Sequence, residues 1–271
     1  MQLISEVHHY MRHGLGLTHE EIHQWFVDQK QTRIASYLID ITAVITAKQD
    51  DLGTGYLLDK VSDRAGQKGT GRWCIDAALD LGVPVPTIFA AVTERQLSGR
   101  VDTRKELARG PVENGAGSQD DWSQELNDTL YGGMLCAFAQ GLELIRTASE
   151  TNGWGTDTHV ALSLWRGGCI IRAAMLETLL NAEQLSDHIF CSPSIFTEVV
   201  NCRSGWERTV QGAQAAQLPM PAASASLAYL DSLRLDRLPT YMVQAQRDCF
   251  GAHTFERTDR DGVFHADWLA P

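Results

Sequence analysis

Long apolar runs are missing from this sequence, and none approaches the ~20 residues that a membrane-spanning helix needs. The chain also opens without a charged segment followed by an apolar one, so we expect no signal peptide. Its 44% hydrophobic and 21% charged residues are the proportions of a soluble globular protein. We therefore predict a globular fold with no membrane partner.

Basic residues are too few to balance the acidic ones. The sequence has 23 lysines and arginines against 34 aspartates and glutamates, which gives a net charge of −11. This balance disfavours nonspecific binding to nucleic acid or to anionic membranes. Salt screens the long-range repulsion of an anionic ligand beyond about 8 Å. Any site for such a ligand must therefore gather its own lysines and arginines.

Cysteine pairs at redox or metal-binding spacing are also absent, since none of the six cysteines forms a C-x-x-C motif. Several lie in apolar or helix-like runs, where cysteine commonly acts as a small hydrophobic residue. A disulfide framework would be unusual in a chain of 271 residues. We therefore expect reduced thiols and a cytoplasmic location.

Strand patterns are nearly absent, and no Gly-x-Gly-x-x-Gly follows a strand, so the sequence predicts no nucleotide-binding strand–helix–strand unit. Instead it contains long helical patterns joined by connections that contain Gly and Pro. The fold class indicated is all-α, a multi-helix bundle with a C-terminal tail. The patterns cover residues 1–12, 18–45, 73–81, 87–95, 122–151, 158–180, 195–217, 222–235 and 241–250.

The clearest break in composition is the segment 110–118, with the sequence GPVENGAGS. It divides a predicted helical domain, residues 1–253, into possible halves at 1–109 and 118–253. Residues 254–271 are polar, and we predict that they form a tail lying on a surface.

Two long helical patterns contain glycine pairs, Gly132-Gly133 and Gly167-Gly168. Each such glycine costs a helix roughly 1 kcal/mol relative to alanine, which is tolerable where another helix must approach closely. At the second pair we therefore predict helix-packing glycines, with Arg166 and Arg172 in buried ion pairs, in preference to a chemical role.

Residues 19–23 spell His-Glu-Glu-Ile-His, a literal H-E-x-x-H motif. On a buried helix this spacing holds zinc between two imidazoles. Here Glu21 and Gln24 make the first turn polar, and position 29 is Gln where a third ligand would be expected. We predict instead a helix start capped by Thr18 and Glu21, with solvent-facing histidines and no metal.

The segment 67–73 combines two glycines, a hydroxyl and a lysine directly before a helical pattern. Thr70 stands where an N-cap is expected, and the N–H groups of a helix start attract anions. Lys68 adds a positive charge, and Arg95 lies on the last turns of the next helix. Turn geometry and solvated charges explain the same residues, with Arg95 pairing to Glu94 or Asp102. The residues alone favour that structural explanation over a phosphate pocket.

Five motifs nevertheless resemble, in order and spacing, those of the 6-phosphogluconate dehydrogenase family, and the similarity extends over essentially the whole chain. In that family these motifs belong to the helical substrate domain. The motifs are QKGTGRW at 67–73, GVPVP at 82–86, AVTERQLS at 91–98, LWRGGCIIR at 164–172 and QAQRDCFGAHT at 244–254.

The resemblance implies a site for 6-phosphogluconate that is shared between the subunits of a homodimer. Lys68, Thr70 and Arg95 would bind the phosphate in one subunit. Arg247 and His253 would come from the partner, Arg247 to the phosphate and His253 to the hydroxyl and carboxylate region of the sugar acid. Residues 1–253 would then be the substrate-binding and dimerisation domain of an enzyme of the pentose phosphate pathway and gluconate utilisation.

The family's reaction is oxidation of a secondary alcohol by NADP followed by decarboxylation, which yields ribulose 5-phosphate. Its lysine base, His-Asn pair and glutamate acid lie just before the position matched by Met1. The resemblance therefore assigns no catalytic, coenzyme-binding or metal-binding residue to this chain. We expect a fragment that is inactive by itself. The alternative is a noncatalytic dimeric helical protein that keeps the sugar-phosphate pocket.

Overall fold

The computed structural model describes residues 1–108, 121–182 and 188–270, and divides the chain into two compact units, Met1–Tyr229 and Leu230–Pro271. The predicted linker at 110–118 lies outside the described residues, and the division between the units falls elsewhere, within a helix. No helix of the described residues combines the length and the apolar character needed to cross a membrane.

Helices make up nearly all regular structure of the described residues, which confirms the all-α prediction. The strands found there are two residues long and pair antiparallel. Two 3₁₀ turns, at Leu57–Lys60 and Ile189–Cys191, complete the elements. The helices and strands are α1 (Gln2–His13), α2 (His19–Gln29), α3 (Tyr37–Ala47), α4 (Thr70–Leu81), α5 (Pro86–Ser98), α6 (Val101–Leu107), α7 (Trp122–Asn152), α8 (Thr158–Trp165), α9 (Met175–Leu180), α10 (Pro193–Ala215), α11 (Pro221–Leu233), α12 (Thr240–Gly251), β1 (Phe255–Glu256) and β2 (Val263–Phe264).

Helices α7 and α10 form the centre of the larger unit, and glycines let their neighbours approach. A Cβ added at Gly132 would lie 2.5 Å from the ring of Trp206, which is fully buried on α10. A Cβ added at Gly133 would lie 2.8 Å from Leu3 of α1. Since both positions lack space for a methyl group, close helix packing at this glycine pair is confirmed.

The buried face of α1 carries a carboxylate as well as apolar side chains. Glu6 accepts hydrogen bonds from the backbone N–H groups of Ala222 and Ala223, both at 2.9 Å. These N–H groups belong to the first turn of α11, where a helix has no internal acceptors for them. Burial raises the pKa of Glu6, and the two backbone donors offset part of that rise. Glu6 thus connects the first helix to the start of α11.

Two of the predicted helices, 18–45 and 158–180, are wrong because each is interrupted. The first is split into α2 and α3, and the second into α8 and α9. The capping box of Thr18 and Glu21 at the start of α2 is confirmed.

The two interruptions have one cause, because the interrupting segments pair with each other. The Tyr37 N–H donates to the Arg172 carbonyl at 3.0 Å, and the Ala174 N–H donates to the Ala35 carbonyl at 2.8 Å. Arg33, in the first interruption, also donates to Asn127 of α7 at 2.8 Å. These contacts join residues distant in sequence, so helical periodicity could not reveal them.

The predicted packing role of Gly167-Gly168 is also wrong. A Cβ at either position would meet no atom within 4 Å, and Gly168 adopts a left-handed φ of +66° in the connection after α8. Arg166 pairs with Glu177 at 3.2 Å, where both side chains are about half exposed. These glycines therefore serve a turn, and the ion pair is a surface one.

The smaller unit contains α12 and the β1–β2 hairpin. Of its described residues only Leu230 and Asp248 are buried. The predicted pattern, 241–250, leaves Gly251 as the residue that ends the helix. Helix α12 includes Gly251, and Ala252 takes the left-handed conformation after it, with φ of +47°. The chain from Thr254 onwards folds back towards α12, where the N–H groups of Thr254 and Ala266 donate to the carboxylate of Asp248.

Candidate substrate site

The start of α4 differs from the prediction in one position. The N-cap is Gly69, with a left-handed φ of +93°, and Thr70 is the first residue of the helix. A left-handed conformation favours glycine, so Gly69 sets the direction in which the chain enters α4. No side chain caps the helix start. The N–H groups of its first turn are therefore available to an anion.

Close packing holds the start of α4 against α5. A Cβ at Gly71 would lie 2.7 Å from Cγ2 of Val92, which lies one turn before Arg95 on α5. Further back, the Ala65 N–H donates to the Ser98 hydroxyl at 2.9 Å. The loop that carries Lys68 is therefore fixed to α5 on both sides, and the sequence-predicted cations Lys68 and Arg95 lie on adjoining elements.

Arg104 of α6, which sequence reasoning missed, strengthens this arrangement. Its guanidinium donates to Asp63 at 2.5 Å and to the carbonyls of Leu97 and Ser98 at 3.2 and 2.9 Å. The hydrogen bond to Arg104 holds the pKa of the Asp63 carboxyl below its ordinary value. Arg104 thus ties the loop before α4 to the end of α5. Only the folded chain brings these partners together, and no motif marked them.

Arg95 lines a polar cleft of about 240 Å³ and is partly buried. Within the described part of the chain, Arg95 and the exposed Lys68 form no ion pair, so the pairing of Arg95 with Glu94 or Asp102 is not observed. Lys68 and Thr70 are not among the residues that line the cleft. The lining residues are Gln2, Ser5, Asp63, Ala65, Glu94, Arg95, Leu97, Ser98 and Arg104.

Arg247 and His253 lie in the smaller unit, on α12 and just after it. Arg247 is exposed and donates to the side-chain oxygen of Gln244 at 3.2 Å. His253 is exposed, and its ring contacts that of Phe250 edge to face, with centroids 5.7 Å apart. Both side chains can therefore reach a ligand or a partner chain. Gln244 and Asp248 beside them belong to the motif at 244–254, but the sequence analysis gave them no role.

A second cavity, of about 250 Å³, lies in the larger unit and has an almost wholly apolar lining. A phosphorylated sugar acid needs hydrogen-bond donors and positive charge, which this lining does not offer. The lining includes Leu3, Ile4, Leu38, Ile88, Met134, Phe138, Trp165, Ile170 and Ile171.

The H-E-x-x-H histidines are engaged within the fold, so the prediction that they face solvent is wrong for His19. Its side chain is buried, stacks on Tyr56 and bonds to Asp59 at 3.0 Å. His23 bonds through Nδ1 to the Ala43 carbonyl at 2.9 Å. Among the described residues, no group of three or more His, Cys, Asp or Glu side chains is arranged to hold a metal ion.

Comparison with known proteins agrees with these features over nearly the whole chain. The family model for the C-terminal domain of 6-phosphogluconate dehydrogenase matches residues 1–268. A 6-phosphogluconate dehydrogenase, decarboxylating, from Synechococcus elongatus is 42% identical over 99% of this chain and 59% of its own length. The 6-phosphogluconate dehydrogenase, decarboxylating 2, of Arabidopsis thaliana is 40% identical, and the match covers 99% of this chain and 58% of that protein.

A solved structure gives the same result. The 6-phosphogluconate dehydrogenase of Plasmodium falciparum, described in its apo form and in complex with NADP+ or 6-phosphogluconate, matches with a TM-score of 0.94 and 36% identity. The match covers 99% of this chain and 59% of that one, so the chain spans less than two thirds of its relatives. This chain belongs to the 6-phosphogluconate dehydrogenase family, and what it contains is the family's C-terminal domain.

Proposed function

We propose that this chain is the substrate-binding and dimerisation part of an NADP-dependent, cytoplasmic 6-phosphogluconate dehydrogenase of the pentose phosphate pathway. The reaction is the oxidative decarboxylation of 6-phosphogluconate to ribulose 5-phosphate. One observation carries the proposal. The uncapped start of α4 is packed against α5, and the cations Lys68 and Arg95 of these elements form no ion pair within the described residues.

The chemistry of these groups suits a phosphate. Lys68 supplies a compact charge, Thr70 a hydroxyl donor and Arg95 a planar pair of donors that matches two phosphate oxygens. Each charge-assisted hydrogen bond contributes about 1.5–3 kcal/mol. The helix start adds backbone N–H groups and the positive end of the helix dipole. Such a cluster would attract a phosphate locally although the chain carries a net charge of −11.

Arg247 and His253 would complete the site from the partner subunit of a homodimer. The exposed apolar side chains of α12 support this arrangement, because apolar surface of this kind is typical of protein interfaces. Tyr241, Met242 and Val243 are each more than half exposed, and Phe250 is 76% exposed.

NADP does not fit the described residues of this chain. Their strands form a single two-residue antiparallel pair, whereas a dinucleotide site needs a parallel strand followed by a glycine-rich turn and a helix. Hydride transfer is therefore not assigned to any residue here, and neither is the proton transfer of the reaction. The role proposed for these residues is to bind and orient the sugar acid.

Complementation between variant chains tests the shared site. Lys68→Ala and Arg247→Ala homodimers should each bind 6-phosphogluconate at least about tenfold more weakly, since each loses a charge-assisted bond at both sites. In a heterodimer of the two variants, one site loses both residues and the other keeps both. Calorimetric titration should therefore recover one tight site per heterodimer. Arg72→Ala, an exposed arginine paired with Asp76, is the matched control.

Two results would count against the proposal. A purified heterodimer without a tight site would contradict the sharing of residues between subunits. Wild-type affinity in the Lys68→Ala homodimer would contradict the phosphate site itself. Tight binding with no reduction of NADP, even when a coenzyme domain is supplied separately, would favour the noncatalytic alternative.

A further inference from the structure

The side-chain amide of Gln244 bonds both to Arg247 and to the backbone next to His253, the two residues proposed to reach the substrate from the partner subunit. Its nitrogen donates to the carbonyl of Thr254 at 2.5 Å, and its oxygen accepts from the guanidinium of Arg247 at 3.2 Å. Thr254 directly follows His253 in the chain. One partly buried side chain therefore joins Arg247 to the backbone beside His253.

Asp248, one helical turn after Gln244, holds the same backbone from its other side. Its carboxylate accepts from the Thr254 N–H at 2.8 Å and from the Ala266 N–H at 3.1 Å. The rings of His265 and Trp268 also bond to it, at 2.9 and 2.7 Å. Burial alone would raise the pKa of Asp248, but these hydrogen bonds outweigh burial and hold the pKa well below its ordinary value. The group is therefore an anion at neutral pH.

The backbone on both sides of His253 adopts conformations that are rare for residues other than glycine. Ala252 has φ of +47° and Thr254 has φ of +61°. Conformations of this kind persist only where the surroundings hold them, and they concentrate at functional sites. At Thr254 both backbone groups are held, the N–H by Asp248 and the carbonyl by Gln244.

The His253 ring is confined as well. A Cβ added at Gly251 would lie 2.8 Å from both Cδ2 and Nε2 of the ring. The absence of a side chain at Gly251 therefore makes the space that the imidazole occupies. Together with the edge of Phe250, this contact limits the positions open to the ring.

We propose that Gln244 and Asp248 are positioning residues that hold Arg247 and His253 as a preformed pair through their shared partner Thr254. The inference rests on the proposed function, in which Arg247 and His253 touch the substrate. Preformed geometry increases affinity because less side-chain and backbone freedom is lost on binding. Gln244 and Asp248 themselves need not touch the ligand.

Gln244→Ala tests this inference better than a change at Asp248, because the Asp248 carboxylate accepts four hydrogen bonds and its loss would also remove those from His265, Ala266 and Trp268. Gln246→Ala is the matched control, since Gln246 is an exposed glutamine on the same helix. Three quantities would be measured in the full chain: the affinity for 6-phosphogluconate by calorimetry, the thermal unfolding temperature, and the mobility of the Arg247 Nε–H and the His253 ring by NMR without ligand.

We expect Gln244→Ala to weaken binding about tenfold with an unchanged unfolding temperature, because a positioning residue acts on the ordering cost of binding. The Arg247 and His253 signals should become mobile without ligand, whereas Gln246→Ala should match the wild type in every measurement. Gln244→Glu, which keeps the acceptor for Arg247 but not the donor to Thr254, should restore order at Arg247 alone.

The two proposals fail in different ways. If Arg247→Ala abolishes binding and Gln244→Ala leaves both affinity and mobility unchanged, the positioning role is wrong and the substrate site stands. If the wild-type chain does not bind 6-phosphogluconate, the substrate site is wrong. In that case the NMR comparison still decides whether Gln244 orders Arg247 and His253. Equal mobility of these two side chains in the wild type and in Gln244→Ala would overturn the positioning role.

Discussion

At the scale of single residues, the arginines and lysines of this protein differ in whether the fold already provides an anion for them. Arg104 donates to Asp63, and Arg208 donates to Glu125 at 2.5 Å. Within the described residues Lys68 and Arg95 have no such carboxylate. A paired cation stabilises the chain, whereas an unpaired one beside a helix start is available to a ligand. Other cations of the described residues, such as Arg100, also form no ion pair. What sets Lys68 and Arg95 apart is that they lie on the elements that meet at the uncapped start of α4.

Arg95→Ala should weaken the binding of 6-phosphogluconate by about 10- to 100-fold, because a bidentate charge-assisted contact is lost. Calorimetry with 6-phosphogluconate and with unphosphorylated gluconate would separate phosphate contacts from the rest of the site. Only the affinity for 6-phosphogluconate should fall. Arg100→Ala, an exposed arginine just beyond α5, is the control. Equal losses for both ligands would contradict a phosphate role for Arg95.

We expect His188 to make the stability of the folded chain depend on pH, because its ring is partly buried and its Nδ1 accepts a hydrogen bond. The Phe190 N–H donates to Nδ1 at 3.2 Å, so the neutral ring carries its proton on Nε2, which donates to the Tyr229 hydroxyl at 2.8 Å. Burial lowers the pKa of His188, although Glu143 opposes the shift. The folded state therefore favours the neutral ring, and protonation would remove the acceptor for Phe190.

The stability that His188 contributes should be fully present above the unfolded pKa of about 6.5 and lost as the pH falls below it. His188→Asn keeps an acceptor for the Phe190 N–H but does not titrate. Denaturant unfolding between about pH 5 and pH 8 should therefore show a smaller loss of stability on acidification in this variant. His159→Asn, at an exposed position, should behave as wild type. Parallel curves for wild type and His188→Asn would contradict the explanation.

At the scale of elements, the effect of a glycine on the stability of α7 depends on whether its side of the helix packs against a neighbour. Gly132 faces Trp206 with no room for a methyl group, whereas Gly141 has no atom within 4 Å of an added Cβ. The same residue type in one helix is therefore required at one position and merely tolerated at the other.

Gly132→Ala should destabilise the protein by about 1–3 kcal/mol, because the added methyl group forces α7 and α10 apart. Gly141→Ala should stabilise it by up to about 1 kcal/mol, because alanine is the better helix former and meets no neighbour. Urea unfolding of the two variants would measure both effects in one helix. A stabilising Gly132→Ala would show that the contact with Trp206 is not limiting.

At the scale of the whole molecule, the smaller unit is notable for how little apolar surface it buries. Leu230 and Asp248 are the buried residues among those described in it, and α12 exposes several large apolar side chains. A unit of this size without a core of its own gains stability from a partner surface. The proposed homodimer would provide such a surface.

Met242→Asp should therefore raise the dimer dissociation constant by about tenfold or more, because a charge would be buried against apolar surface. Sedimentation velocity over a dilution series would measure it. Leu52→Asp, at a side chain that is 98% exposed in the larger unit, is the control. A wild-type chain that stays monomeric at all concentrations, or a Met242→Asp variant that dimerises normally, would contradict this interface.

Several features were predictable from the sequence because their causes are local. The apolar face of α1, the capping box of Thr18 and Glu21, and the long helices α7 and α10 follow from side-chain spacing within a single helix. The site residues were found through the motifs of the family, because neither Lys68 nor Arg247 is distinguished from a surface charge by its own neighbours in the sequence.

What only the tertiary structure decided depends on partners distant in the sequence. The breaks after α2 and α8 arise from hydrogen bonds between the segments 35–37 and 172–174. His19 is buried because Tyr56 and Asp59 cover it, and Thr254 holds its left-handed conformation because Asp248 and Gln244 bind it. Helical periodicity records which side of a helix is apolar. The periodicity does not record which distant backbone or side chain will pack against that helix. The helix breaks, the burial of His19 and the conformation of Thr254 therefore appear only once the chain has folded.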